Sequence, residues 1–266
     1  MSAVVSVQSV GMIYNTPEGE THALRDVTFD VAPGEFVSIV GPSGCGKSTL
    51  LSLICGLIRP TSGRVLIQGE AVEGPSRHVG YMLQSDYLFG WRTVLSNCLL
   101  GLEIRKERTP ERVREVWELL ELMGLKDFAH RYPYQLSGGM RQRAALVRTL
   151  ALRPNVVLLD EPFGALDYQT RLHLEGEVAE LLRSRGQTAI LITHDIAEAI
   201  SMSDRVIVLT NRPGTVYSVY TVRLSTTRRT PLAVRNAPEF NPLFQAVWKD
   251  LEAAQNGAAV EGARRA

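Results

Sequence analysis

The sequence predicts an α/β protein: a mixed, mainly parallel sheet with helices around it, joined to an antiparallel β subdomain and a helical subdomain. Three observations carry this. The short apolar runs FVSIV, VVLLD and TAILIT read as strands buried on both faces. Stretches of helical period alternate with them. From about Thr93 to Ala151 the pattern becomes wholly helical, as an insert between two strands of the sheet would be.

Taken in order, VSVQSV and LRDVTFDV alternate apolar and polar residues and end in the turn residues APGE, so the chain before residue 36 is β-structure. FVSIV leads into a glycine-rich turn and a helix from about Lys47 to Cys55, and RVLIQG and HVGYMLQ are two further strands. Thr109 caps a helix with Pro110 in its first turn, an apolar face of Val113, Val116, Leu120 and Met123, and Gly124 at its end. Ser137 caps the next helix. Its apolar face is Met140, Ala144, Val147 and Ala151, with Arg141 and Arg148 off that face and Pro154 beyond its end. Asp167 caps a helix ending near Gly186, which joins VVLLD to TAILIT. RVIVLTN and VYSVYTV form a hairpin, PEFNPLFQAVWKDLEAA an amphipathic helix, and NGAAVEGARRA a frayed tail. One unit of residues 1–225, with a helical subdomain at about 88–152, is expected, followed by a C-terminal extension at 226–266.

Composition narrows the class. With 45% hydrophobic and 21% charged residues, the 266-residue chain reads as an ordinary soluble globular protein. A net charge of +1 argues against a strongly basic nucleic-acid surface. No apolar run approaches the roughly 18 to 20 residues of a membrane-spanning helix, and the start MSAVVSVQSV has no secretory pattern. The chain is therefore expected in the cytosol. Cys45, Cys55 and Cys98 form no CxxC pair, which speaks against a zinc knuckle or a disulfide scaffold.

The chemistry starts at GPSGCGKST, formed by Gly41, Pro42, Ser43, Gly44, Cys45, Gly46, Lys47, Ser48 and Thr49. It fits the phosphate-binding pattern G-x-x-x-x-G-K-[ST] between a strand and a helix. Glycines let backbone N–H groups wrap the phosphates, Lys47 would reach the β- and γ-phosphates, and the Ser48 hydroxyl would ligate Mg²⁺. VVLLDEP then delivers Asp160, to hold the metal, and Glu161, to polarise the attacking water. An isolated acidic pair at a strand end is usually a solvated one. Beside a phosphate loop it becomes catalytic machinery. His194 ends TAILIT at the same sheet edge and can reach the γ-phosphate, whereas His22, His78, His130 and His173 read as structural or surface residues. Cys45 in the loop predicts inhibition by thiol alkylation and protection by ATP. LSGGMRQR has no carboxylate, histidine or cysteine. It is either an ordinary capped helix or an anion site at a helix N-terminus.

GPSGCGKST, YMLQ, LSGGMRQR, VVLLDEP, GALD and THD occur in this order, and to about residue 225 the chain resembles the ATP-binding subunit of an ABC transporter. The resemblance implies ATP and Mg²⁺ as cofactors and a head-to-tail homodimer. There Ser137, Gly138 and Gly139 face the γ-phosphate held by the partner chain, Tyr14 stacks on adenine, and Gln84 bridges Mg²⁺ and the attacking water. Asp167 would lie across the dimer interface. Met140 replaces the family's Gln, which touches a side-chain contact but not backbone donation. The wording YMLQSDYLFGWRTVLSN and THDIAEAISMSDRVIVLTNRPG is similar to the ATPases of nitrate, sulfonate and taurine-type importers, which have proline at the position of Gly90. This implies the motor of an importer for a small anionic or organic solute, peripheral on the cytoplasmic face of the membrane. Its partners would be integral membrane permease subunits and, indirectly, a solute-binding protein, with no nucleic acid. The apolar cluster Tyr87, Leu88, Phe89 and Trp91 is either core or, as the resemblance implies, a groove for a short permease helix with Phe89 and Trp91 as anchors. The alternative function is a soluble ABC ATPase acting on nucleic acid or another soluble complex. Its usual coiled-coil insert, zinc insert or second fused ATPase domain is missing from the sequence.

Overall fold

The protein is described from a computed structural model covering residues 3–17, 19–226 and 230–256. The apolar runs lie side by side in one sheet of β10 (Val216–Thr221), β9 (Arg205–Leu209), β3 (Phe36–Val40), β8 (Thr188–Ile192), β7 (Val156–Asp160) and β6 (Val79–Met82), in that spatial order. Neighbours are parallel except the edge pair β9 and β10. Every residue of β3, β7 and β8 is buried, as their composition requires.

RVLIQG and HVGYMLQ part company. Residues Ser62–Ile67 form β4 of a second, antiparallel sheet with β1 (Val5–Thr16), β2 (Gly19–Val31) and β5 (Glu70–Ala71), in the order β2-β1-β4-β5. The difference lies in burial. β4 starts with three exposed residues and suits a half-solvated sheet, whereas β6 is mostly buried.

Helix α1 (Lys47–Ile54) buries Leu50, Leu51, Leu53 and Ile54 in a core shared by both sheets. A second core unites the other face of the large sheet with α2 (Val94–Arg105), α3 (Pro110–Leu122), α4 (Gly138–Leu150) and α5 (Tyr168–Ser184). The expected caps are present: Thr109 accepts from Arg112 N–H, Ser137 from Met140 N–H and Asp167 from Thr170 N–H. The apolar faces are wider than the sequence spacing suggested. Leu119 joins the face of α3, and α4 also buries Gln142, Leu146 and Leu150 because it packs against several elements at once.

Two shorter helices, α6 (Ile196–Met202) and α7 (Pro231–Arg235), share a third core with the C-terminal α8 (Phe240–Gln255), which lies on β9 and β10. Of the expected tail, residues 257–266 lie outside the described residues. Among the described residues no helix is long and apolar enough to cross a membrane.

Candidate functional site

Four parallel strands bring the sequence-selected groups to one edge of the sheet. The turn after β3 carries Gly41 to Thr49, the loop after β6 carries Gln84, β7 ends on Asp160 and Glu161, and His194 follows β8. Open α/β sheets expose their ligand crevices at this carboxyl end. A cavity of about 330 Å³ lies there, lined by Tyr14, Ser43, Gly44, Gly46, Lys47, Ser48, Thr49, Gln84, Asp160 and Glu161, among others.

The turn needs its glycines. Gly46 has φ +103°, and a Cβ there would sit 2.7 Å from Leu24 Cδ2 and 2.9 Å from the Ala23 carbonyl. Lys47 folds back over the turn and donates from Nζ to the carbonyls of Gly41 at 2.8 Å and Pro42 at 2.9 Å. Tyr14 is 37% exposed rather than core, and its hydroxyl lies 3.3 Å from Thr49 Oγ1.

Glu161 is the most constrained group in the cavity. It adopts a left-handed backbone, φ +48°, which costs a non-glycine residue about 1 kcal/mol. Its N–H donates to the Ile192 carbonyl at 2.9 Å, and Gln142 Nε2 donates to its carbonyl at 2.7 Å. Gln84 Nε2 donates to Glu161 Oε2 at 3.0 Å, and His194 Nδ1 lies 3.4 Å from Oε1. One carboxylate is thus gripped from two loops. Asp160 is nearly buried and accepts from the Tyr81 hydroxyl at 3.4 Å. Burial pushes its carboxyl above the usual range, opposed by a hydrogen bond from Ser48. The oxygen atoms of Ser48, Asp160 and Gln84 make a hard donor set that fits Mg²⁺, which binds few protein ligands and completes its shell with substrate phosphates and water.

One sequence expectation changes. Cys45 is wholly buried under the turn, and burial raises its thiol pKa, so it is no reactive thiolate and ATP-protected alkylation is not expected. Ser137, Gly138 and Gly139 do not line the cavity of their own chain. Gly139 has a local reason to be glycine, since a Cβ would lie 2.7 Å from Leu166 Cδ2. At Gly138 a Cβ would meet nothing nearer than Arg141 Nη2 at 3.9 Å, which leaves that backbone open to approach.

Two residues were missed. Gln142 joins α4 to the turn after β7, donating to the Glu161 carbonyl and accepting from Ala165 N–H at 3.0 Å, but a polar residue in a helix gives no sequence signal of such a bridge. Arg212 also lines the cavity, and its only sequence cue is the turn NRPG beside a strand end.

A strand, a glycine turn and a helix, with a lysine and acidic groups converging from adjacent strand ends, is the construction of the P-loop nucleotide hydrolases. Residues 24–164 match the ABC transporter family, and the chain belongs to that family as one of its ATP-binding, ATP-hydrolysing subunits. An uncharacterized ABC transporter ATP-binding protein of Bacillus subtilis, YtlC, is 49% identical over 92% of this chain and 94% of its own. The taurine import ATP-binding protein TauB of Pelagibacter ubique is 43% identical over 83% of each chain. A dimeric structure of the ATP-binding cassette MJ0796 in a post-hydrolysis state, bound to ADP and Pi, aligns with a TM-score of 0.75 and 35% identity over 82% of this chain and 99% of that one.

Proposed function

We propose that this chain is the motor subunit of an importer for a small anionic or organic solute of the taurine, sulfonate or nitrate type. It would work as a head-to-tail homodimer on the cytoplasmic face of the membrane, against integral permease subunits fed by a solute-binding protein. The observation that carries the ATPase reading is Glu161, held between Gln84 and His194 in the same cavity as Lys47 and Ser48. The import names of relatives such as the taurine protein support the solute class.

In this reading Tyr14 offers its ring to adenine. Lys47 and the turn's N–H groups hold the β- and γ-phosphates. Glu161 draws the proton from the attacking water, while Gln84 and His194 fix the carboxylate and orient that water. Gln84 can do this and still offer its amide oxygen to a metal, because its Nε2 serves Glu161. Ser48, Asp160 and Gln84 would hold Mg²⁺, which supplies positive charge to the β- and γ-oxygens when bound. Ser137, Gly138 and Gly139 stand outside their own chain's cavity and serve the partner's γ-phosphate through the N-terminus of α4. We assign residues 1–225 to the ATPase unit, 88–152 to its helical subdomain and 226–266 to an extension.

Affinity purification of the tagged chain from solubilised cells checks the assignment. Recovery of a stoichiometric integral membrane protein, with ATPase activity stimulated by a taurine-loaded binding protein, is the expected result. Stoichiometric DNA or ribosomes instead would overturn it.

A further inference from the structure

The loop joining β9 and β10 reaches into the nucleotide cavity, and it carries a cation there. Arg212 donates from Nε at 3.1 Å and from Nη2 at 3.0 Å to the carbonyl of Gly44, in the middle of the phosphate turn. A guanidinium has five N–H donors, so three remain after these two bonds. Among the described residues no protein acceptor takes them. Charge points the same way. Of the side chains lining the cavity, Lys47 and Arg212 are the cations and Asp160 and Glu161 the anions, so Lys47 alone leaves the wall negative where a polyanion must bind.

The loop is built in rather than draped over the site. Gly214 N–H donates to the Ala23 carbonyl at 2.9 Å, its own carbonyl accepts from Arg25 N–H at 3.0 Å, and a Cβ at Gly214 would lie 2.2 Å from the Cys45 carbonyl. From the other side Asn211 N–H donates to the Ala254 carbonyl at the end of α8 at 3.1 Å. Arg212 is therefore anchored between β2 and the C-terminal helix. This fixes which part of a nucleotide it meets. Ala23 and Thr21 of β2 line the cavity together with Tyr14, whereas Gln84 and Glu161 enter from the loops after β6 and β7.

We propose that Arg212 is a nucleotide-binding residue that brings a second positive charge to the phosphates shared by ATP and ADP, seated by α8 through Asn211. It rests on the ATPase reading and adds a contact on the phosphate chain away from the γ-phosphate. Loss of the contact should weaken ATP and ADP alike and raise KM while leaving kcat unchanged.

Three variants separate a phosphate contact from a brace on Gly44. Arg212→Lys keeps the charge, Arg212→Gln keeps a donor for the Gly44 carbonyl without charge, and Arg212→Ala keeps neither. Binding of ADP with Mg²⁺, and of ATP with Mg²⁺ in a Glu161→Gln background, is measured by calorimetry, with melting temperatures taken without nucleotide. The expected result is a Kd about five- to tenfold weaker for both nucleotides in Arg212→Gln and Arg212→Ala, and largely kept in Arg212→Lys. Affinity kept in Arg212→Gln but lost in Arg212→Lys would reduce Arg212 to a brace, and a loss confined to ATP would place it at the γ-phosphate instead. Either result overturns the inference. Failure of the parent protein to bind ATP at all would instead overturn the ATPase reading.

Discussion

The nucleotide cavity and the loop that follows Gln84 are built in opposite ways. In the cavity, buried strands deliver polar groups to a concave wall. In the loop, polar groups hold the backbone and the aromatic side chains are left outside. Asn97 is wholly buried, shares its two amide hydrogens among the carbonyls of Phe89, Arg92 and Thr93 at 3.0 to 3.1 Å and accepts from Phe89 N–H at 2.8 Å. Arg148 donates to the carbonyls of Asp86 at 2.7 Å and Tyr87 at 2.8 Å, and Arg141 pairs with the Asp86 carboxylate at 3.0 Å. Upon this frame Tyr87 is 65% and Trp91 74% exposed, with the rings of Phe89 and Trp91 4.8 Å apart. Large aromatics presented on a constrained backbone suit a partner protein, not a core. On the proposed function, one region is shaped for chemistry and the other for contact. Arg141 and Arg148, on the helix that opens with Ser137, hold the contact loop, and Gln142 between them in sequence holds Glu161.

The sharpest break in that comparison comes at Glu161. Glu161→Gln should cut ATP turnover by roughly a hundredfold or more while keeping ATP binding, because the amide cannot take the water's proton. Single-turnover kinetics beside equilibrium binding test this, and turnover at the parent rate would remove Glu161 from the chemistry.

Next in size is the loop's frame against its tips. Asn97→Ala leaves the Phe89 N–H and the Arg92 carbonyl without their partner, while the carbonyls of Phe89 and Thr93 keep the backbone N–H groups of Arg92 and Asn97, and should cost about 2 to 4 kcal/mol. Trp91→Ala, mostly in solvent already, should change stability by no more than about 0.5 kcal/mol yet weaken assembly with the permease. Denaturant unfolding of the isolated chain, with permease pull-down, separates the two. A collapse of stability in Trp91→Ala would return that residue to the core.

Rising pH should act on a carboxyl pair packed behind the cavity. Behind His194, Glu198 and Glu175 are buried. Glu198 accepts from the Thr193 hydroxyl at 2.9 Å, and Glu175 pairs with Arg235 at 3.4 Å. Arg171 and Asp195 face the same cluster. Burial, the largest cause for both, pushes Glu198 up to about 8 and Glu175 up to about 7 from an ordinary 4.5. Both folded-state values are raised, so the stabilising contribution is complete below about 4.5 and is lost as pH rises through 7 to 8. Melting temperature should fall between about pH 4.5 and 8, and Glu198→Gln should flatten the fall. An unchanged profile in that variant would assign the dependence elsewhere.

Much of this was legible in the sequence, for identifiable reasons. Doubly buried strands read as nearly continuous apolar runs, so FVSIV, VVLLD and TAILIT announce themselves, and a phosphate turn needs glycines and lysine at fixed spacing. The exposed or core state of Tyr87 to Trp91 was not legible, because composition is the same in either case. Nor were Gln142, Asn97 and Arg212, which act on backbone groups far away in the chain, and such partners leave no periodic trace.

In the proposed function the cavity of one chain is completed by Ser137, Gly138 and Gly139 of another. Ser137→Arg and Lys47→Ala should each abolish hydrolysis alone. Mixed in equal amounts they form heterodimers with one site free of both changes, and random pairing should restore about a quarter of parent activity if sites act independently. Recovery near that level in the ATPase assay is the predicted result. No recovery, with heterodimers shown to form, would contradict the shared site.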